Sequence, residues 1–255
     1  MPDLRARMAR GEMLAGTFVK TPAVEMVEVL ARSGLDFLCL DAEHAPFDRA
    51  RLDSCLAVAR ALDFPILVRV PSSLPQDILQ ALDAGATGVV VPHVTDAATA
   101  AAVAKAARFG RGGRGFAGST RWAGFATRSM SEVLAQSERE TIVIAQIEDV
   151  EAVEAAAAIA ATPGIDALFL GPADLSVAYG HANQSSDDLM RAVETVGRAA
   201  QEHGKTYVTF TPDVAKAAEW QAHGFTMFFV GSEHAWMLQG ARAVAQGIHD
   251  LDAGT

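Results

Sequence analysis

The stretch FLCLDAEHAPFD, residues 37–48, places three ionisable side chains directly after an apolar run. Asp41, Glu43 and His44 follow the run FLCL, which is typical of a buried strand. Because a charge without a partner is costly to bury, we expect this group to lie where the strand leaves the core. An imidazole titrates near neutral pH and suits proton transfer. The alternative is that His44 is a structural hydrogen-bonding group.

Two further acids, Glu148 and Asp174, follow later apolar runs, in AQIED and LFLGPADLS. If these runs are adjacent parallel strands, both carboxylates reach one point, where they repel unless they share a proton or a cation. Oxygen ligands suit Mg²⁺, Mn²⁺ or a similar divalent ion. The alternative is that each acid caps the helix that follows. In LFLGPADLS the amides of Gly171 and Ala173 suit a bound carboxylate, or form an ordinary turn.

Arg69 lies inside the short apolar run PILVRV. A guanidinium that faces a core needs an anion, and its planar fork suits carboxylate or enolate oxygens. Arg69 therefore either contacts a substrate or pairs with Asp41 or Glu148 as part of the scaffold. His93, at the end of VVVPHV, has no polar neighbours in its run and is interpreted as structural.

These side chains need a scaffold that brings the ends of separate strands together. Eight β-rich runs alternate with amphipathic helical patterns, several of which begin on Asp or Ser and end on Gly. The runs span residues 14–20, 36–42, 65–70, 87–94, 141–148, 166–172, 205–211 and 226–232. Eight even repeats predict a (β/α)8 TIM barrel, with residues 1–255 as one domain and the polar residues at the carboxyl ends of the strands. An open doubly wound sheet is the alternative.

One irregular segment, residues 110–130, is rich in Gly, Arg and Ser and contains aromatic residues. A loop of that length is typical of a lid, a binding loop or a subunit contact. Gly110, Gly112 and Gly115 match G-x-G-x-x-G, but a helix pattern precedes them and none follows directly. The dinucleotide fingerprint needs a strand before it and a helix after it, so we reject nucleotide binding at this segment.

The composition excludes several classes of protein. The 31 acidic and 21 basic residues give a net charge of −10, which argues against nucleic acid as a partner. The segment MPDLRARMARGEM lacks the apolar core of a secretory signal, and no apolar run is long enough to span a bilayer. The two cysteines, Cys39 and Cys55, fit buried thiols in a reducing compartment. We expect a cytoplasmic protein with no membrane partner.

The chain resembles the metal-dependent (class II) pyruvate aldolases, which include 4-hydroxy-2-oxoheptanedioate aldolase and 2-keto-3-deoxy-L-rhamnonate aldolase. The resemblance covers roughly residues 10–250 and is carried, in this order, by DAEHAPFD, ILVRVP, LDAGATGVVVPHV, RGGRGFAGSTRWAGF, IAQIED and LFLGPADLS. It implies a lyase that cleaves a 4-hydroxy-2-oxo acid reversibly to pyruvate and an aldehyde. It also implies a divalent metal cofactor, Mg²⁺, Mn²⁺ or Co²⁺, and small 2-oxo acids and aldehydes as binding partners.

The resemblance further implies roles for individual residues. His44 corresponds to the general acid/base of the family, and Asp83 to the acid that orients this histidine. Arg69 corresponds to the arginine that stabilises the pyruvate enolate. Glu148 and Asp174 correspond to the metal ligands.

The remaining implied roles concern substrate binding and assembly. Gln146 corresponds to a residue that lines the site, the amides of Gly171 and Ala173 to the cradle for the substrate carboxylate, and Asp41 to an acid that approaches a neighbouring subunit's site. Family members form hexamers in which dimers exchange the last barrel helix, so we expect a homohexamer with AWMLQGARAVAQGI on another chain. The 110–130 loop and GSEHAW depart from the family pattern, so the resemblance does not specify the aldehyde.

Three other functions stay open. A Schiff-base aldolase needs a lysine inside the barrel, and only Lys20 lies near the predicted rim. An acyl-CoA lyase of the citrate lyase β-subunit or malyl-CoA lyase type needs a basic groove, for which Arg111, Arg114, Arg121 and Arg128 are available. A barrel that binds a small acid without converting it is the third, and the set of acid/base, metal-binding and oxyanion-binding groups argues against it.

Overall fold

The computed structural model of the protein describes residues 3–252, in which eight parallel strands close into a barrel. The strands are β1 (Leu14–Val19), β2 (Phe37–Asp41), β3 (Ile66–Arg69), β4 (Gly88–Val91), β5 (Ile142–Ile147), β6 (Ala167–Leu170), β7 (Thr206–Thr211) and β8 (Met227–Ser232). Each strand pairs with the next along the chain, and β8 pairs with β1. The predicted barrel is therefore confirmed, and the alternative of an open sheet is wrong.

Helices cover the outside of the barrel. They are α1 (Leu4–Ala9), α2 (Val24–Leu30), α3 (Arg49–Ala61), α4 (Pro75–Ala84), α5 (Ala97–Ala107), α6 (Met130–Glu140), α7 (Val150–Glu154), α8 (Ala156–Ala161), α9 (Pro172–Ala178), α10 (Asp187–Glu202), α11 (Val214–Gln221) and α12 (Glu233–Asp252). Six of them begin at a side chain that accepts a hydrogen bond from the first turn: Asp3, Asp48, Asp96, Ser129, Ser186 and Asp213.

Two apolar layers hold the barrel together, because each strand of a covered parallel sheet is buried on both faces. Inside the barrel, the rings of Phe37 and Phe169 each lie 4.9 Å from the ring of Phe229. Phe37 packs directly over Gly16, where a side-chain carbon would lie 2.4 Å from its ring. The interior therefore requires glycine at this position of β1. The outward faces of the strands pack against the helices.

Three helices were not predicted from the sequence. α1 has two buried apolar residues, Leu4 and Met8, which join the interior cluster at the amino-terminal end of the barrel. α6 begins with a complete capping box between Ser129 and Glu132. α9 is a short helix directly after β6. The helix predicted after β5 is divided at Ala155 into α7 and α8.

The segment from residue 110 to residue 129 runs as turns and irregular backbone between α5 and α6. Arg114 anchors it: the guanidinium is buried, lies 4.5 Å from the ring centroid of Phe109 and 5.2 Å from that of Trp122, and donates to Asp83. The loop is therefore pinned to the outer helical layer, against α4. Its role in a lid or a subunit contact stays a prediction.

The last helix, α12, is the least covered element. Glu233, its first residue, is buried, whereas Met237, Leu238, Val244 and Ile248 are exposed. These exposed apolar residues are what an exchanged helix would bury, but the exchange itself stays a prediction. In the described part of the chain, none of the helices combines the length and the apolar character needed to cross a membrane.

Candidate active site

A cavity of about 300 Å³ opens at the carboxyl ends of the strands. Five of the predicted site residues line it: Arg69, Gln146, Gly171, Ala173 and Asp174. A larger groove of about 630 Å³ lies at the opposite end of the barrel, beside Met8, Lys205 and Thr226. We place the site in the smaller cavity, because catalytic groups of TIM barrels come from the carboxyl ends of the strands.

Asp41 and Arg69 form a buried bidentate ion pair across β2 and β3. Arg69 donates through Nε to Asp41 Oδ1 at 3.0 Å and through Nη2 to Oδ2 at 2.7 Å. Burial raises the pKa of Asp41, but the hydrogen bonds and charge of Arg69 outweigh it and hold that pKa below its usual value. Arg69 therefore pairs with Asp41, and its contact with a substrate stays a prediction. These bonds use two of five guanidinium donors, so contact with a ligand in the cavity remains available.

The guanidinium is held on a second side by an aromatic ring and an acid. Its carbon lies 4.3 Å from the ring centroid of Phe18. Nε also lies 3.3 Å from Oε2 of Glu43, and the same oxygen lies 3.7 Å from Nε2 of His44. Arg69 is thus fixed in position before any substrate binds.

His44 lies on the rim of the barrel. Its backbone N–H donates to Asp41 Oδ1 at 3.1 Å, and its side chain is 60% exposed. Among the described residues, it is not part of the cavity lining. The structure therefore puts His44 close to the Asp41–Arg69 pair, and its acid/base role stays a prediction.

Glu148 and Asp174 converge on Gly171. A side-chain carbon built on Gly171 would lie 3.3 Å from Asp174 Oδ2 and 3.6 Å from Glu148 Oε2. Burial raises the pKa of Glu148, and the nearby carboxylates of Asp174 and Glu43 raise it further, against the opposing effect of His93. Both acids therefore lie beside one backbone position, and their role as metal ligands stays a prediction.

Gln146 supports this pair from the preceding strand. Its Nε2 donates to Glu148 Oε2, whereas its buried Oε1 has no hydrogen-bond partner among the described residues. An unpaired buried acceptor costs free energy unless a ligand, an ion or water completes it. The amide oxygen thus indicates that the cavity receives a further polar group.

His93 is closer to the chemistry than the sequence suggested. It follows β4 in a left-handed backbone conformation (φ 52°), and its N–H donates to Glu148 Oε1 at 2.9 Å. Its Nδ1 lies 3.0 Å from Asp149 Oδ2 and 3.3 Å from Glu148 Oε1. Adjacency of β4 and β5 was the sequence signal that could have joined His93 to Glu148.

The donor atoms fit a divalent cation. Glu43, His93 and Glu148 each offer a ligand atom within 4.8 Å of the others, and Glu148 also faces Asp174. Carboxylate oxygens with one imidazole are ligands that such ions accept. The described residues therefore include a group able to hold a metal ion, with Glu148 common to both possible sets.

Asp83 lies away from this group. It is on α4, and its carboxylate accepts from Nε and Nη2 of Arg114, the anchor of the 110–130 loop. Asp83, the acid predicted to orient His44, thus lies beside Arg114. Its relation to His44 stays a prediction, as does the approach of Asp41 to a second subunit.

The aromatic wall of the cavity was not singled out by the sequence. Phe18, Phe169 and Phe210 form an apolar wall, and Lys20 and Ser232 close the side formed by β1 and β8. Aromatic residues within strands are typical of a core, so their types carried no signal. Lys20 was considered only as a Schiff-base lysine.

Comparison with known proteins finds relatives over nearly the whole chain. The model of the family described as HpcH/HpaI aldolase/citrate lyase matches residues 14–239. The chain is similar to a hydroxypyruvate/pyruvate aldolase of Paraburkholderia phytofirmans, with 33% identity over 253 residues and 96% of each chain covered. It is also similar to a 5-keto-4-deoxy-D-glucarate aldolase of Klebsiella pneumoniae, with 35% identity over 242 residues and 90% of each chain covered.

A solved structure extends the likeness to the whole backbone. It belongs to an HpcH/HpaI aldolase/citrate lyase family protein from Burkholderia cenocepacia and superposes with a TM-score of 0.92 at 32% identity. The superposition covers 98% of this chain and 100% of the other. The barrel, and with it the arrangement of strand ends, is therefore shared along the full length.

Proposed function

The chain belongs to the HpcH/HpaI aldolase/citrate lyase family of lyases, and on that premise we propose that it cleaves a 4-hydroxy-2-oxo acid reversibly to pyruvate and an aldehyde. The observation that carries the proposal is the convergence of Glu148 and Asp174 on Gly171, in the cavity that Arg69 also lines. A 2-oxo acid has adjacent carboxylate and keto oxygens, which such a site can bind together.

The chain's own groups divide the work of cleavage. The amide of Ala173, at the start of α9, would bind the substrate carboxylate. The amide of Gly171, the other group that the resemblance implies, already donates to the carbonyl of Ile147 at 3.0 Å. Arg69, held by Asp41, would donate to the keto oxygen, where negative charge develops as the enolate forms. Because Asp41 and Phe18 already hold the guanidinium in place, this donor needs little reorganisation during the reaction.

Cleavage needs a base on the aldehyde side. His44 would take the proton of the C4 hydroxyl, the C3–C4 bond would break, and its electron pair would pass into the enolate. Return of a proton to C3 gives pyruvate. The family resemblance also implies that Asp83 orients His44; in this chain Asp83 accepts from Arg114, so the role is proposed from the resemblance alone.

A divalent cation held by Glu148 and Asp174, with Mg²⁺, Mn²⁺ and Co²⁺ as candidates, would supply Lewis-acid stabilisation of the enolate charge. Glu148 is buried, and Oε1 of Gln146 has no hydrogen-bond partner within residues 3–252; both observations support an ion and its ligands in this part of the cavity. We therefore propose Glu148 and Asp174 as the metal ligands. The alternative set of ligands combines Glu148 with Glu43 and His93.

The structure gives little support to an acyl-CoA lyase. Of the four arginines that could form a groove for the phosphates, Arg114 is buried against Asp83 and Arg121 pairs with Asp53 at 2.8 Å. A cavity of about 300 Å³ is also at the lower end for small-molecule sites, which suits a short hydroxy-oxo acid.

The test is a panel of 4-hydroxy-2-oxo acids with pyruvate release coupled to lactate dehydrogenase, run with Mg²⁺, Mn²⁺ and Co²⁺ in turn. We expect turnover that EDTA abolishes and that added metal restores. Borohydride with pyruvate should trap no adduct. An adduct on Lys20, together with activity that resists EDTA, would reverse the assignment in favour of a Schiff-base aldolase.

The same proposal includes the assembly and the compartment. The exposed apolar residues of α12 support a homohexamer in which this helix packs on another chain. The free, buried thiols of Cys39 and Cys55 support a reducing, cytoplasmic location. Residues 1–255 are proposed to form one barrel domain.

A further inference from the structure

Lys20 lines the same cavity as Arg69 and Asp174, but cleavage as described above makes no use of it. We propose that Lys20 forms a subsite for a carboxylate at the far end of the substrate, on the aldehyde portion. This inference rests on the proposed function and names its substrate class: a 2-oxo acid with a second, terminal carboxylate.

The direction of the side chain follows from the alternation along β1. Leu14 and Phe18 belong to the interior cluster, whereas Val19 packs in the outer layer. Because side chains alternate between the faces of a strand, Lys20 continues the inward face two residues beyond Phe18. It reaches the cavity at the point where the barrel opens.

The backbone at Lys20 is fixed by a buried acid. The N–H groups of Lys20 and Thr21 donate to Oε1 of Glu233 at 2.7 and 2.6 Å, and Glu233 is 2% exposed. This carboxylate ties the end of β1 to the start of α12. The backbone that carries the Lys20 side chain is therefore held in place before a ligand binds the ammonium group.

Among the residues that the structure describes, the ammonium group of Lys20 has no strong partner of its own. The acid that faces it is Asp41, whose Oδ2 lies 3.5 Å from Nζ. That oxygen already accepts from Arg69 at 2.7 Å, and charge-assisted hydrogen bonds are normally 2.7–2.9 Å long. The side chain of Lys20 is also 35% exposed. A compact cation with donors to spare, beside a cavity, is suited to binding an anion.

The subsite lies across the barrel from the acids. In the closed ring β1 is four strands away from β5, after which Glu148 stands. A substrate with its 2-oxo acid end at Glu148 and Gly171 would therefore extend its other end toward β1. Ser232 at the end of β8 adds a hydroxyl on the same side, and Phe18 and Phe210 flank the path.

The test uses two acids that bind but cannot be cleaved, since neither has a 4-hydroxyl group. 2-Oxoadipate and 2-oxohexanoate share six carbons and differ in a terminal carboxylate or methyl group. Their affinities for the Mn²⁺-loaded protein are measured by calorimetry for the wild type, Lys20→Met and Lys216→Met. Lys216 is the control, because its ammonium pairs with Glu219 on α11, outside the cavity.

We expect the wild type and Lys216→Met to prefer 2-oxoadipate by about tenfold or more, as one charge-assisted hydrogen bond allows. Lys20→Met should remove that preference and leave the affinity for 2-oxohexanoate within about twofold. Equal binding of both acids by the wild type, a preference that survives in Lys20→Met, or equal loss for both acids would overturn the subsite. A preference that depends on Lys20 without pyruvate release from any hydroxy-oxo acid would instead overturn the proposed reaction alone.

Discussion

Replacing Asp41 with Asn isolates the ion pair on which the position of Arg69 depends. Asp41 is fully buried and accepts three hydrogen bonds, two from Arg69 and one from the backbone of His44. Asparagine keeps the shape of the side chain but leaves the guanidinium, 8% exposed, without its bidentate partner. Breaking a buried pair on one side costs roughly 3–5 kcal/mol, and Glu43 at 3.3 Å offsets part of it. We expect a loss of about 3 kcal/mol.

The measurement is equilibrium unfolding in urea, followed by circular dichroism and fluorescence so that coincidence of the two transitions tests two-state behaviour. Asp53→Asn is the matched control, since Asp53 also pairs with an arginine at 2.8 Å but is half-exposed. It should cost less than about 1 kcal/mol. In a cycle with Arg69→Met, the double variant should be about 2 kcal/mol more stable than the sum of single losses implies.

The effect of Asp41→Asn also has a predicted pH dependence. The pKa of Asp41 is lower in the folded protein than in the unfolded chain, so the pair stabilises the fold fully above the unfolded value of about 3.9. That contribution is lost as the pH falls through the folded pKa. The difference between the proteins should be constant from about pH 7 to 5 and shrink below about pH 4. A loss no larger than that of Asp53→Asn, or an additive cycle, would refute the reasoning.

Three further variants address the cation site, the packing of α1 at the amino-terminal end of the barrel, and the last helix. Because burial raises the pKa of Glu148 in the folded protein, its ionisation costs stability as the pH rises above the unfolded pKa. Glu148→Gln should therefore raise the melting temperature of the metal-free protein at pH 7 and abolish the further rise that Mn²⁺ gives the wild type. A lower melting temperature than the wild type in EDTA would contradict this. Leu4→Ala should lower the free energy of unfolding in urea by about 2–5 kcal/mol and leave KM unchanged, because Leu4 is buried. Met13→Ala, at a half-exposed position, should lower it by less than about 1 kcal/mol. Equal losses would show that α1 does not contribute to the core. Ile248→Glu should lower the mass of the assembly measured by light scattering, because it places a charge on the exposed apolar face of α12. Gln246→Glu, at a neighbouring exposed position, should leave the mass unchanged. An unchanged mass in both variants would exclude α12 from the subunit interface.

The strands could be predicted because their sequences have no competing interpretation. Runs such as GVVV and ALFL are buried on both faces, and β-branched and aromatic residues between turn signals predict strands. α1 could not be predicted in this way, since six residues with two buried side chains give too short a pattern. α6 could have been predicted: Ser129 and Glu132 have the spacing of a capping box, and the structure forms it.

The candidate site was predicted in part. The positions of its residues could be predicted from the strand ends, whereas their contacts with one another could not. The rule that barrel sites occupy strand ends located Arg69, Gln146 and Asp174, all of which line the cavity. It could not choose the partners of these residues. Arg114 takes Asp83 because the loop that carries it folds over α4, and neither the path of that loop nor its contacts can be inferred from local pattern.

The alternation of side chains along each strand explains why an apolar run ends in charged groups. On β2 the inward positions are Phe37, Cys39 and Asp41, and on β3 they are Leu67 and Arg69. The interior of the barrel is filled in layers, and the last layer before solvent can bury an ion pair because both partners arrive in register. A shift of one residue in β2 would direct Leu40 inward and Asp41 into the helical layer, away from Arg69. The same register that completes the core therefore sets the charged floor of the cavity, so variants that disturb the inward layer below it should weaken substrate binding even where they leave every site residue in place.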